Sequence, residues 1–124
     1  MREAIRYLHN AREILKKAPR EGRIYTDVKP VREACATAYL SVLEAINEYL
    51  LSRGLDKKEL PRSVQEYQKA LRKHMGIHNG KLYREFDRLY DTLHIAGYYR
   101  GLISHIEIVK DILNTAQQFI EKIK

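Results

Sequence analysis

Residues 31–51 read VREACATAYLSVLEAINEYLL, the one stretch whose apolar side chains cover most of a helical circumference. No charge falls between Ala34 and Leu43, and Arg32, Glu33, Glu44 and Glu48 leave only a narrow wet stripe. A helix with that pattern has to sit among neighbours on several sides. Ala34, Ala36, Ala38, Ser41 and Ala45 keep it thin, so partner helices can approach toward the close end of the roughly 8–10 Å interaxial range. It is read as the central helix of an all-α domain.

Outward from it, a first helix is expected from Arg2 to Lys17, with Ala4, Ile5, Leu8, Ala11 and Leu15 stepping by three and four along one face. Pro19, Gly22 and Pro30 break the pattern, so APREGRIYTDVKP reads as a loop, with Thr26 or Asp27 as a cap for the central helix. Arg53-Gly54 stops that helix. Ser63-Val64-Gln65-Glu66 is a capping box that starts a third helix burying Val64, Tyr67, Leu71 and Met75. Gly76-Ile77-His78-Asn79-Gly80 reads as a turn. A fourth helix runs from Lys81 to Ala96 on Leu82, Phe86, Leu89, Leu93 and Ala96, and Gly97 is its expected stop. Ser104-His105-Ile106-Glu107 is a second capping box, which places His105 at the first position of a last helix running to Ile123. The expected fold is an up-and-down four-helix bundle with one short additional helix, as a single domain over residues 1–124.

The formal net charge is +7 in 124 residues. That suits an anionic partner, although charge alone also serves solubility. The single Cys35 has no partner for an internal disulfide and falls in the most apolar helix, so it reads as a small core residue of a reducing compartment. No apolar run approaches the roughly 18 residues of a spanning helix, and the N-terminal residues are charged throughout; no membrane role and a cytoplasmic location are expected.

Glycine-rich phosphate loops, His-Glu-x-x-His, Cys-x-x-Cys and nucleophile elbows are all missing from the sequence. His74 and His78 have one-turn spacing but no carboxylate beside them, so no metal and no cofactor are expected. The nine tyrosines lie mostly at or beside core stripes. Tyr98-Tyr99-Arg100 is different, since two aromatics and a cation in one exposed turn suit base stacking and phosphate neutralisation.

Ala38-Tyr39, then Ala45, then Leu50-Leu51-Ser52-Arg53-Gly54 resembles the second helix of small HEPN-type domains, and Leu93-His94-Ile95-Ala96-Gly97-Tyr98-Tyr99 resembles that family's leucine-rich helix ending in Ala-Asp-Tyr. Leu93 and Gly97 stand where the family often has an Arg and an Asp. The order of helices agrees along the whole chain, which equally resembles the short bacterial helical families of unknown function that share this bundle; that second resemblance implies a helical protein with no nucleic-acid role. The HEPN resemblance implies a homodimeric binding or accessory module whose partner is an RNA, a nucleotide or a nucleotidyltransferase-type protein. It also implies an alternative, a metal-independent ribonuclease. Members with that activity carry an Arg, four to six residues, then a His, shared between two subunits; Arg100 and His105 match. Arg2/His9, Arg72/His78 and Arg88/His94 match the spacing too, and about one or two such pairs arise by chance in a chain of this composition. Only Arg100/His105 sits in a turn that runs into a capped helix. There an arginine fork would hold phosphate, and a histidine with pKa near working pH would act as acid or base. A surplus of apolar side chains beside the main stripes, Tyr7, Ile14, Tyr90, Ile112 and Phe119, supports the expected dimer.

Overall fold

The central helix begins ahead of its apolar run. In the computed structural model, which describes residues 2–74 and 80–123, helix α2 (Val28–Ser52) starts where the Asp27 carboxylate accepts the Lys29 N–H at 3.0 Å. That bond satisfies one of the donors a first turn leaves orphaned, and Pro30 in the same turn gives up an N–H that has no intrahelical acceptor. Gly54, at φ +99, takes the left-handed conformation just past its end. Val31, Ala34, Cys35, Ala38, Val42, Ala45, Ile46 and Leu50 are fully buried.

Helix α1 (Arg2–Lys16) lays Ala4, Leu8, Ala11 and Leu15 against α2. Ile5, expected on that face, is 42% exposed. The expected loop then proves to hold a small hairpin. Strands β1 (Arg20–Glu21) and β2 (Ile24–Tyr25) pair antiparallel, Arg20 opposite Tyr25 and Glu21 opposite Ile24, around Gly22 at φ +62. Strands this short give no alternation for a sequence to show.

A 3-10 turn (Lys57–Glu59) leads to α3 (Val64–His74). Half of the expected capping box forms there: Ser63 Oγ accepts the Glu66 N–H at 3.2 Å, but the Glu66 carboxylate takes the N–H of Arg62 instead of that of Ser63. Tyr67 and Leu71 are buried and Val64 is half-buried. Met75, the expected turn through Asn79, and His78 with its spacing from His74 lie outside the described residues.

Helix α4 (Lys81–Leu89) buries Leu82, Phe86 and Leu89, then widens without a break into a π-helical segment (Tyr90–Tyr99). The Arg100 N–H closes it on the Ile95 carbonyl, five residues back, at 2.8 Å. The stop expected at Gly97 is therefore corrected. A Cβ at Gly97 would stand 2.6 Å from Cys35 Sγ and 2.8 Å from Cys35 Cβ, so the glycine is there for close approach to α2. The coil ends instead before Gly101, at φ +60.

Helix α5 (Ile106–Ile123) buries the expected stripe and adds Phe119, which is 1% exposed. Ile14, Tyr90 and Ile112 also pack half-buried on the core, so most of the apparent apolar surplus is absorbed within one chain. Helix α2 touches α1, the π segment and α5, and α5 also touches α4 and α1. The chain is thus mostly helical, as expected, with one two-stranded hairpin among the described residues. Burial pushes the Cys35 thiol up to about 11, in keeping with a core residue and not a nucleophile.

Replacing Gly97 with Ala should force the π segment off Cys35 and cost about 1–3 kcal/mol, as overpacking does. Urea unfolding measures this, and Cys35→Ala in the same chain should recover part of the loss. A Gly97→Ala midpoint equal to that of the parent would contradict the packing.

Candidate functional site

The stretch singled out in the sequence, Tyr98 to Arg100, forms the last two residues of the π segment and the first of the bend after it, and α2 holds it in place. Arg32 Nε donates to the Tyr98 carbonyl at 2.8 Å and Arg32 Nη2 to the Tyr99 carbonyl at 3.0 Å. A cation on the last carbonyls of a helical coil meets its negative end. The Arg32 stem covers Gly101, where a Cβ would lie 3.2 Å from Cδ. With its backbone pinned, the turn presents its side chains outward: Tyr99 is 69% and Leu102 61% exposed. Arg100 is exposed and its guanidinium has no partner among the described residues.

Behind the turn runs a row of rings. Tyr90 and His94 stack with centroids 5.3 Å apart, His94 and Tyr98 at 5.8 Å, and Tyr39 of α2 lies 5.0 Å from His94. Tyr39, Tyr67, Tyr90 and His94 also border a cleft of about 290 Å³ that Arg62 lines as well. Burial raises the Tyr39 hydroxyl well above its usual pKa, with Tyr90 and Tyr67 adding to the shift. Burial raises the Tyr67 hydroxyl too, against a 2.9 Å bond to Asn47. The sequence did not tie His94, Tyr39 or Arg32 to the Tyr98–Arg100 turn. The four-residue spacing of Tyr90, His94 and Tyr98 was the available signal, since it puts three rings on one side of a helical coil.

The structure moves His105. Helix α5 begins at Ile106, and the His105 carbonyl accepts the Val109 N–H at 3.1 Å, which makes His105 the cap residue in place of Ser104. The hairpin causes the shift. Tyr25 N–H donates to the Ser104 carbonyl at 2.8 Å and Ile106 N–H to the Arg23 carbonyl at 2.9 Å, so the backbone at His105 is stretched into a bridge with Ile24. The His105 ring is partly buried and its Nδ1 is buried without a hydrogen-bond partner. No hydrogen bond joins Arg100 to His105 among the described residues.

Among the described residues no group of three or more His, Cys, Asp or Glu side chains gathers as a metal site, and no helix is long and apolar enough to cross a membrane. The arrangement defines a mostly helical, basic domain whose central helix pins an aromatic and cationic turn. The chain belongs to the family described as Domain of unknown function (DUF5618), which matches residues 1–124. A solved structure of a protein of unknown function from Dyadobacter fermentans is similar, with 30% identity and a TM-score of 0.78 over 98% of this chain and 89% of that one. No curated protein matches. A short helical family of unknown function was one of the two resemblances the sequence carried.

Replacing Arg32 with Ala should cost about 1–3 kcal/mol, the range for charge-assisted hydrogen bonds. It should also speed amide exchange across residues 98–102. Unchanged exchange there would show that the turn holds itself.

Proposed function

We propose that this chain is a HEPN-like, non-enzymatic helical-bundle module of the cytoplasm that binds single-stranded RNA through Tyr98, Tyr99 and Arg100. The carrying observation is the row Tyr39–Tyr90–His94–Tyr98, followed along the chain by exposed Tyr99 and unpartnered Arg100. Flat rings accept bases of any sequence, and a free guanidinium beside them takes the phosphate. A net charge of +7 draws such a ligand in. Pairing of two copies is part of the same reading, supported by large apolar side chains left exposed, Leu40 and Leu102 among them.

The second reading is a metal-independent ribonuclease using Arg100 and His105 across such a dimer. What favours it is that neither the Arg100 guanidinium nor His105 Nδ1 is committed to another group among the described residues.

Fluorescence anisotropy with a 5′-hydroxyl single-stranded RNA tests the first reading. Tyr99→Ala should lose about 1–3 kcal/mol per stacked base, and Arg100→Ala should weaken binding and lower the salt slope by about one. Affinities equal to that of the parent would remove the reading. Incubating the same RNA with EDTA separates the two. Intact RNA supports binding alone, whereas cleavage lost in His105→Ala at unchanged melting temperature would establish the nuclease.

A further inference from the structure

Helix α1, the hairpin and α5 border a cavity of about 440 Å³, within the size range of small-molecule sites. Its floor is apolar, formed by Leu15, Leu113 and the Tyr25 ring. Its rim is cationic, with Arg12 and Lys16 from α1, Arg20 from β1 and Lys110 from α5, and no carboxylate lines it. An adjoining cleft shares Arg20 and Lys110 and brings in Arg23 and one acid, Glu107.

The cations are placed but hardly neutralised. Arg12 Nη2 donates to Asn114 Oδ1 at 3.0 Å and Gln117 Oε1 at 2.7 Å, both uncharged. Arg20 lies over the Tyr25 ring, 5.5 Å from its centroid, and its only acceptor among the described residues is the Leu15 carbonyl at 3.5 Å. Lys110 has no partner among the described residues, whereas Lys16 is matched by Glu13 at 2.8 Å. Tyr25 is 3% exposed and its hydroxyl has no hydrogen-bond partner among the described residues. Like charges held at one cavity repel unless a counter-charge joins them. Two guanidinium forks and an ammonium answer a dianion with several oxygens better than a single carboxylate, and the apolar floor answers an organic body attached to it.

We propose that this cavity binds a phosphomonoester, its phosphoryl group held by Arg12, Arg20 and Lys110 and its organic part against Tyr25, Leu15 and Leu113. The site is independent of the Tyr98–Arg100 surface and stands or falls separately from RNA binding there. Two sources carry this chemistry, a free mononucleotide and the 5′-terminal phosphate of a nucleic acid strand.

Calorimetry on the whole chain at low salt, with adenosine monophosphate, adenosine and inorganic phosphate as probes, tests the proposal alongside 5′-phosphorylated and 5′-hydroxyl forms of one short oligonucleotide. A free-nucleotide site binds adenosine monophosphate about tenfold or more tightly than adenosine or inorganic phosphate, the scale of losing a charge-assisted contact. A strand-end site shows that preference between the two oligonucleotides instead. Lys110→Glu and Arg20→Ala should each cut adenosine monophosphate binding, or the advantage of the 5′-phosphorylated strand over the 5′-hydroxyl strand, by about tenfold or more. Lys110 is exposed and partnerless among the described residues, so its variant should melt with the parent. Equal affinity with and without the phosphate in both pairs, inorganic phosphate binding as tightly as the nucleotide, or Lys110→Glu binding like the parent would each overturn the proposal.

Discussion

The approach of Gly97 to Cys35 is the constraint on which the rest of this structure leans. Helix α2 is thin along Ala34, Cys35 and Ala38, all fully buried, and only a residue without a Cβ can lie against the Cys35 side chain. That contact seats the π segment on α2. The segment in turn sets where Tyr90, His94 and Tyr98 fall, and hence where the chain leaves the coil. Interiors packed to crystal-like density transmit such a choice outward, because a displaced helix cannot be absorbed by empty space.

A second tie acts at the other end of the turn. The hairpin donates from Tyr25 to Ser104 and accepts at Arg23 from Ile106, so the entry to α5 is fixed by strand-like bonds instead of a serine cap. Arg32 fixes the exit from the π segment. Residues between these anchors keep a defined backbone while Tyr99, Arg100 and Leu102 stay exposed. A surface held in this way would lose little entropy on meeting a ligand, which is the advantage of preorganisation.

What the sequence made legible follows from period and from local chemistry. The stripes of α1, α2 and α5 were readable because each apolar position recurs at helical spacing, and all but Ile5 of the named α1 positions are buried. Asp27 and Ser63 were readable as caps because their side chains act on neighbours in sequence. Gly97 was misread because a glycine that ends a helix and a glycine that lets two helices touch look alike in one dimension. His105 was displaced by two bonds to the hairpin, Tyr25 N–H to the Ser104 carbonyl and Ile106 N–H to the Arg23 carbonyl, and a local capping signal cannot weigh competitors so distant in the chain. The cavity between α1, the hairpin and α5 was invisible for the same reason, since Arg12, Arg20 and Lys110 are gathered only by the fold.

Native-state hydrogen exchange across the described helices tests the dependence on α2 most directly. Buried amides of α2 between residues 34 and 46 and those of the π segment near Gly97 should exchange with one common free energy, equal to that of global unfolding, because the close contact leaves neither free to open alone. Exchange near Gly97 through a local opening well below that value, with α2 still fully protected, would contradict the account.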